Sequence, residues 1–313
     1  MAIISNDIAQ AVSLLQEGEV VAIPTETVYG LAANALNAVA VAKVFEVKNR
    51  PTFNPLIVHV ASIADVETYS GTFPDQAKRL AKKFWPGPLT LILPKRNLIP
   101  DLVTAGLDTV GLRCPDHELT RELLSQLGFP LAAPSANPFG YVSPTTAQHV
   151  QDQLGDKINF ILDGGPCSVG LESTIVGFDD GATIHRLGGV AVEEIESVVG
   201  KVKLNLHSSS NPVAPGQLSS HYAPKKKMII GNLQELLARH YGSSVGILSF
   251  KTVYHGENSF VLSPSGSLTE AAQNIFSMLR ELDERPVDLI LSEFVPEEGL
   301  GRAINDRLRR AAK

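Results

Sequence analysis

Twenty consecutive uncharged residues, 205–224, divide this 313-residue chain. They read NLHSSSNPVAPGQLSSHYAP, with five serines and three prolines, a composition that favours linker over regular structure. A chain of this length exceeds what one core comfortably covers. The segment therefore predicts a domain at 1–204, a linker at 205–224 and a smaller domain at 225–313. Charge divides at the same place. The first part carries 15 basic and 22 acidic residues and the last carries 12 and 11, which gives −7 and +1 and recovers the whole-chain −6.

Both flanks alternate strand-like and helix-like patterns. In the large part, apolar runs at 20–23, 56–60, 89–93, 110–112, 160–162 and 174–176 predict strands. Helical spacing marks 38–47, 77–84, 118–127 and 145–154. Frequent prolines in the turns favour a mixed over a purely parallel sheet. The small part reads strand 228–230, helix 233–241, strand 245–248, helix 268–282, strand 289–291 and helix 303–311. That alternation predicts a small parallel, Rossmann-like α/β domain.

Composition excludes several classes. At 44% hydrophobic and 19% charged residues the chain is globular, not disordered. Cys114 and Cys167 stand alone, without a CxxC or a Cys/His cluster, so neither a disulfide framework nor a cysteine zinc site is expected. No signal peptide or membrane-spanning run is evident, and a cytoplasmic protein is expected. GxGxxG, GxxxxGK[ST] and HExxH are missing from the sequence.

Polar clusters instead sit at the ends of the predicted strands. PTETVYG carries Thr25, Glu26 and Thr27 after the first apolar strand; a helix N-cap is the plain alternative. In KNRPTFNPLIVHV, Lys48 and Arg50 stand two apart before Pro51. An extended chain there would point both cations to one side, toward an anion, unless they form a solvated face. Asn54 and His59 flank the next strand. Thr109 and Arg113 end the strand of DTVGLRCP. Ser135, Asn137 and Ser143 lie in PLAAPSANPFGYVSPT, where prolines stiffen the loop. Ser173 follows the glycines of DGGPCSVGLESTIVGF, and Arg186 closes the series. Cations and hydroxyls in loops suit a polyphosphate or carboxylate substrate. No nucleophile stands out, which fits phosphoryl or nucleotidyl transfer by positioning and charge neutralisation.

In order along residues 5–200, PTETVYGLAANA, KNRP with NPLIVHV, WPGPLTLIL, GLRCP, PLAAPSANPFGYVSPT and LDGGP with ESTIV resemble the YrdC-like family of threonylcarbamoyl-AMP synthases. The linker and small α/β tail resemble the long form of that enzyme. The resemblance implies a twisted mixed-sheet catalytic domain and a nucleotidyltransferase. It would join L-threonine, bicarbonate and ATP into L-threonylcarbamoyladenylate, with pyrophosphate released, as the first step of threonylcarbamoyladenosine formation in tRNA. The family's K-x-R pair falls on Lys48 and Arg50, implied to be catalytic, and its S-x-N on Ser135 and Asn137. ATP contacts are implied for Arg50, Asn54, Thr109, Ser135, Asn137, Ser143, Arg186 and Tyr222 of the linker. Threonine contacts are implied for Thr27, His59, Arg113, the Ala133 backbone and Ser173. Mg²⁺ is expected on the phosphates, with no protein metal site. The expected partners are the three substrates, a downstream tRNA-modifying threonylcarbamoyl transferase system and a weak tRNA contact, with no membrane. The alternatives are an RNA-binding module of the same fold without catalysis, which the acidic balance of residues 1–204 opposes, and a carbamoyl-transfer domain of a larger protein.

Overall fold

The computed structural model describes residues 1–206, 214–216 and 222–312. Eleven strands form the larger sheet: β1 (Ile3–Ser5), β2 (Val21–Ile23), β3 (Gly30–Asn34), β4 (Ile57–His59), β5 (Leu89–Pro94), β6 (Thr109–Arg113), β7 (Leu131–Ala132), β8 (Phe160–Leu162), β9 (Thr174–Gly177), β10 (Thr183–Arg186) and β11 (Lys203–Leu204). Their order is β1-β8-β2-β3-β7-β4-β6-β5-β9-β10-β11. Pairings are mixed. β4 runs parallel to β6, while β5 runs antiparallel to β6. The mixed sheet expected from the turns is therefore present.

Physical reasons for the elements are local. The side chains of β8 and β9 are all buried, as strands covered on both faces must be, and their sequences FIL and TIVG are correspondingly apolar. Helix Ala38–Lys48 starts at Asn37, whose side chain accepts from the amides of Val39 and Ala40. It ends at Asn49, which takes the left-handed conformation that asparagine tolerates. Helix Glu118–Gln126 buries Thr120, Leu123 and Leu124 along one stripe.

A second sheet holds β12 (Lys227–Ile230), β13 (Val245–Ser249), β14 (Ser259–Val261) and β15 (Leu289–Ser292), in the order β12-β15-β13-β14. Every pairing in it is parallel. Helices Leu268–Glu284 and Gly301–Ala311 carry the contacts to the larger sheet's domain. Arg280 donates from Nε to Ser143 O at 3.2 Å, and from Nη2 to Val142 O and, at 3.0 Å, to Gln153 Oε1. The Tyr141 hydroxyl donates to Asp283 Oδ2 at 2.7 Å. Gly170 (φ +75°) packs so closely on this helix that a Cβ would lie 2.4 Å from Ala272 O. Among the described residues no helix is long and apolar enough to cross a membrane.

Two local expectations need correction. PTETVYG does not cap a helix; it is the turn between antiparallel β2 and β3. Lys48 and Arg50 do not share an extended segment. Lys48 closes a helix and Asn49 turns the chain, so the pair is brought together by a cap rather than by strand alternation.

Candidate active site

The ends of these strands converge on a narrow cavity of about 50 Å³. Thr27, Arg50, His59, Arg113, Ala133, Ser135, Ser173, Arg186 and Tyr222 line it, and so does Glu172. The β2–β3 turn brings Thr27, β4 and β6 bring His59 and Arg113 side by side in register, and β10 ends on Arg186. Pro215 and Gly216 of the linker form another wall.

Cations dominate. The guanidiniums of Arg50, Arg113 and Arg186 all reach the cavity. Arg50 donates to Asn54 O at 3.3 Å and Pro55 O at 2.9 Å, which fixes its fork against a loop backbone. Burial pushes it down to about 9, with Arg186 adding repulsion and the nearby Tyr222 opposing it. Burial likewise lowers Arg186, which donates to Ser173 O at 3.0 Å and Ser173 Oγ at 2.9 Å. Ser173 in turn shares a hydrogen bond with Thr90 at 2.8 Å. Desolvated cations held close to one another gain from a bound anion.

The threonine end implied by the family resemblance is built differently. Arg113 Nη2 lies 2.7 Å from Glu26 Oε2, both side chains buried. Thr27 shares a hydrogen bond with Thr25, 2.8 Å between hydroxyls. His59 is buried, and its Nδ1 has no partner among the described residues. Burial, with Arg113 beside it, drives its pKa down to about 3, so the ring is neutral near pH 7.

Other candidates lie just behind the cavity wall. Lys48 is buried and donates to Ser135 O at 2.5 Å and to Asn137 O, so here it braces the S-x-N loop from below rather than facing the cavity. Burial lowers its pKa well below the ordinary value. Asn137 donates to Pro138 O and Tyr141 O, both at 2.9 Å. The Asn54 amide is buried with neither of its polar atoms partnered among the described residues. Thr109 lines a separate small cavity beside Ile57, Thr90, Ala214 and Pro215. The Ser143 hydroxyl donates to Glu172 Oε1 at 2.6 Å.

Tyr222 is buried at φ +65°, with its ring stacked on Phe276, centroids 5.6 Å apart, and under the Arg307 guanidinium at 4.8 Å. A Cβ on Gly216 (φ +86°) would lie 2.9 Å from the Tyr222 hydroxyl, so the two linker pieces meet inside the cleft. Of the linker, residues 207–213 and 217–221, His221 among them, lie outside the described residues.

Two groups in this constellation escaped the sequence reading, Glu172 and Arg307, while Glu26 is picked out within PTETVYG but given no ligand. Glu172 directly precedes Ser173. Arg307 carried no usable signal, since it sits in the charge-rich run NDRLRR.

Fold and cleft together define an α/β protein with a large mixed sheet and a second parallel one, whose arginine-rich site, walled in part by Pro215, Gly216 and Tyr222, suits an anionic substrate. A family model described as "Telomere recombination" matches residues 13–188, and one described as "Threonylcarbamoyl-AMP synthase, C-terminal domain" matches residues 190–313. The threonylcarbamoyl-AMP synthase of Bacillus subtilis is 44% identical, covering 98% of this chain and 94% of its own. The crystal structure of Pyrococcus abyssi Sua5 complexed with L-threonine superposes with a TM-score of 0.94 at 40% identity, covering 99% of this chain and 98% of that one. A shorter protein of the same name from Vibrio vulnificus is 38% identical over 51% of this chain and 87% of its own length. The chain belongs to the threonylcarbamoyl-AMP synthase family.

Proposed function

We propose that this protein condenses L-threonine, bicarbonate and ATP into L-threonylcarbamoyladenylate, pyrophosphate and water. The observation that supports it best is the convergence on one cavity of Thr27, His59, Arg113 and Ser173 with Arg50, Ser135, Arg186 and Tyr222. The first group suits an amino acid carrying a carboxylate and a hydroxyl. The second suits a polyphosphate.

The threonine amine adds to the carbon of bicarbonate, or of carbon dioxide derived from it, and water is lost overall, which leaves a carbamate. A carbamate oxygen then attacks the α-phosphorus of ATP, and the bond to the β-phosphate oxygen breaks as pyrophosphate leaves. Arg113 pairs with the threonine carboxylate. Neutral His59 offers a ring nitrogen without adding charge. Arg50 and Arg186 neutralise charge on the phosphates, an electrostatic role that needs no protein nucleophile. Lys48 acts one step back, by holding the Ser135–Asn137 loop under the nucleotide.

Among the described residues no group of three or more His, Cys, Asp or Glu side chains could hold a metal ion, and Glu172 is already engaged by Ser143 and Arg307. ATP would bring Mg²⁺ on its phosphates.

A cavity of about 50 Å³ is far below the 300–1,000 Å³ typical of ligand sites. Pro215, Gly216 and Tyr222 wall that space, so ATP enters when they move aside and is covered when they return. Closure would shield a mixed anhydride from water. The domain scheme is accordingly 1–204 for catalysis, 205–224 as the lid and 225–313 as its anchor. The product is an activated acyl group, so a tRNA-modifying threonylcarbamoyl transferase must consume it, in the cytoplasm. The arginines of the cleft are buried rather than displayed on a surface, which favours catalysis over an RNA-binding module.

Mass spectrometry of a mixture of enzyme, ATP, L-threonine and bicarbonate should find threonylcarbamoyladenylate. Pyrophosphate release should need both co-substrates. ATP split equally well without threonine would refute the reaction.

A further inference from the structure

Arg307 lies 135 residues beyond Glu172, in the last helix of the small domain, and is completely buried. Its guanidinium donates from Nε to Glu172 Oε2 at 2.9 Å, from Nη1 to Asp306 Oδ2 at 2.7 Å and from Nη2 to Leu187 O at 2.8 Å. The same group lies over the Tyr222 ring at 4.8 Å. One side chain therefore ties together a cavity-lining carboxylate, the backbone next to Arg186 and the aromatic of the lid.

Glu172 is the key link. Its other oxygen accepts from Ser143, and it stands beside Ser173, which Arg186 holds. Burial alone would push its carboxyl up, but Arg307 and then Arg186 outweigh this and keep it below the usual range. Without Arg307 the carboxylate would sit buried among groups meant for an anionic nucleotide, lacking its main counter-charge.

We propose that Arg307 is a positioning residue for the nucleotide half of the cleft: its planar fork fixes Glu172 and the Tyr222 ring together and so sets the geometry in which ATP is held. This rests on the reading of the cleft as an ATP site. The small domain then does more than anchor the lid; it supplies a wall of the site. A buried ion pair is weak evidence for stability in itself, since apolar residues of similar volume pack as well. What an apolar side chain or a lysine cannot do is make three in-plane hydrogen bonds and lie over a ring at once.

Arg307→Lys keeps the charge and removes the fork. In the full-length protein it should raise KM for ATP about tenfold or more, as small misplacements in a site do. KM for L-threonine should move less than about twofold, because the groups reading threonine do not touch Arg307. The melting temperature should stay close to wild type. A second variant, Glu172→Gln with Arg307→Met, removes both charges so that no buried ion is stranded, and it should also weaken ATP selectively. Overturning the proposal takes either folded variant showing an unchanged KM for ATP, or ATP and threonine constants rising together. If Arg307→Lys does not fold, the paired variant decides alone. Wild-type protein separates the two levels. Failure of wild type to release pyrophosphate in response to threonine refutes the reaction, whereas an active wild type with unmoved variants refutes only the role of Arg307.

Discussion

Arg113 and Glu26 face each other across 2.7 Å, each about 5% exposed, at the end of the cleft where His59 also sits. Glu26 is thereby the group that aims Arg113. In the proposed reaction Arg113 pairs with the threonine carboxylate, and a fixed carboxylate beside its guanidinium would hold it in place. Glu26→Gln keeps the shape and removes the charge pairing. KM for L-threonine should rise by about tenfold, in line with losing a close, desolvated opposite charge, while KM for ATP stays near wild type. An unchanged threonine constant, measured by pyrophosphate release, would detach Glu26 from substrate binding.

The K-x-R pair should split into two behaviours. Lys48→Ala and Arg50→Ala are each expected to lower turnover about 10²-fold, as loss of a preorganised electrostatic contact does. Lys48 is buried and bonded to Ser135 O and Asn137 O, so its loss should also lower the melting temperature. Arg50 braces a nearby loop and lies over the Phe139 ring at 5.8 Å, so its variant should lose less melting temperature than the Lys48 one. Near-normal turnover at saturating ATP would remove the residue concerned from the reaction's machinery.

Side-chain selection follows from group size and polarity. Serine lacks one methyl, worth about 1–3 kcal/mol in an apolar contact, so it should be a poor substrate rather than none. Valine keeps the methyl and carries a second one in place of the hydroxyl that Thr27 or Ser173 could read. Its rate should fall below that of serine. A valine rate above the serine rate would contradict a polar reading of the substrate hydroxyl.

The lid has a steric test. Gly216 adopts φ +86°, and a Cβ there would press on the Tyr222 hydroxyl. Gly216→Ala should impair closure and lower activity more than Tyr222→Phe, which removes only the hydroxyl. Comparable, wild-type rates in both variants would reduce the segment to a tether.

Acid should weaken the fold through His59 and His149, whose burial lowers their pKa values to about 3 and about 4. Both start near 6.5 in the unfolded chain. Below that pH the unfolded state takes up protons that the native state refuses, so stability falls as pH drops from about 6.5 toward 3–4. His59→Gln cannot titrate, and its melting temperature should fall less steeply than that of wild type between pH 6.5 and 4. Parallel slopes would show that other groups control acid unfolding.

Much of this molecule could be read along the chain. Alternating apolar runs marked β2, β4, β5, β6, β8 and β9, and the uncharged segment 205–224 separated the two sheets. These signals survive in one dimension because burial of a strand or helix face imposes its own period on the sequence. β7 did not announce itself. Two residues, Leu131 and Ala132, carry no period, and the strand exists because β3 and β4 flank it.

Within the site, strand-end motifs identified Thr27, Arg50, His59, Arg113, Ser135, Ser173 and Arg186, all of which line one cavity. The resemblance added Tyr222. Tertiary structure decided the roles. Lys48 reads as a cation for phosphate, yet it ends a helix beneath two carbonyls because Asn49 turns the chain. The helix at 303–311 is legible from its pattern, but nothing in that pattern shows that Asp306, Arg307 and Arg310 are all buried. Helical periodicity locates a face but not what covers it. The partner of Arg307 is Glu172, 135 residues away, and only the packing of the small domain against the large one could bring that charge pair out of water.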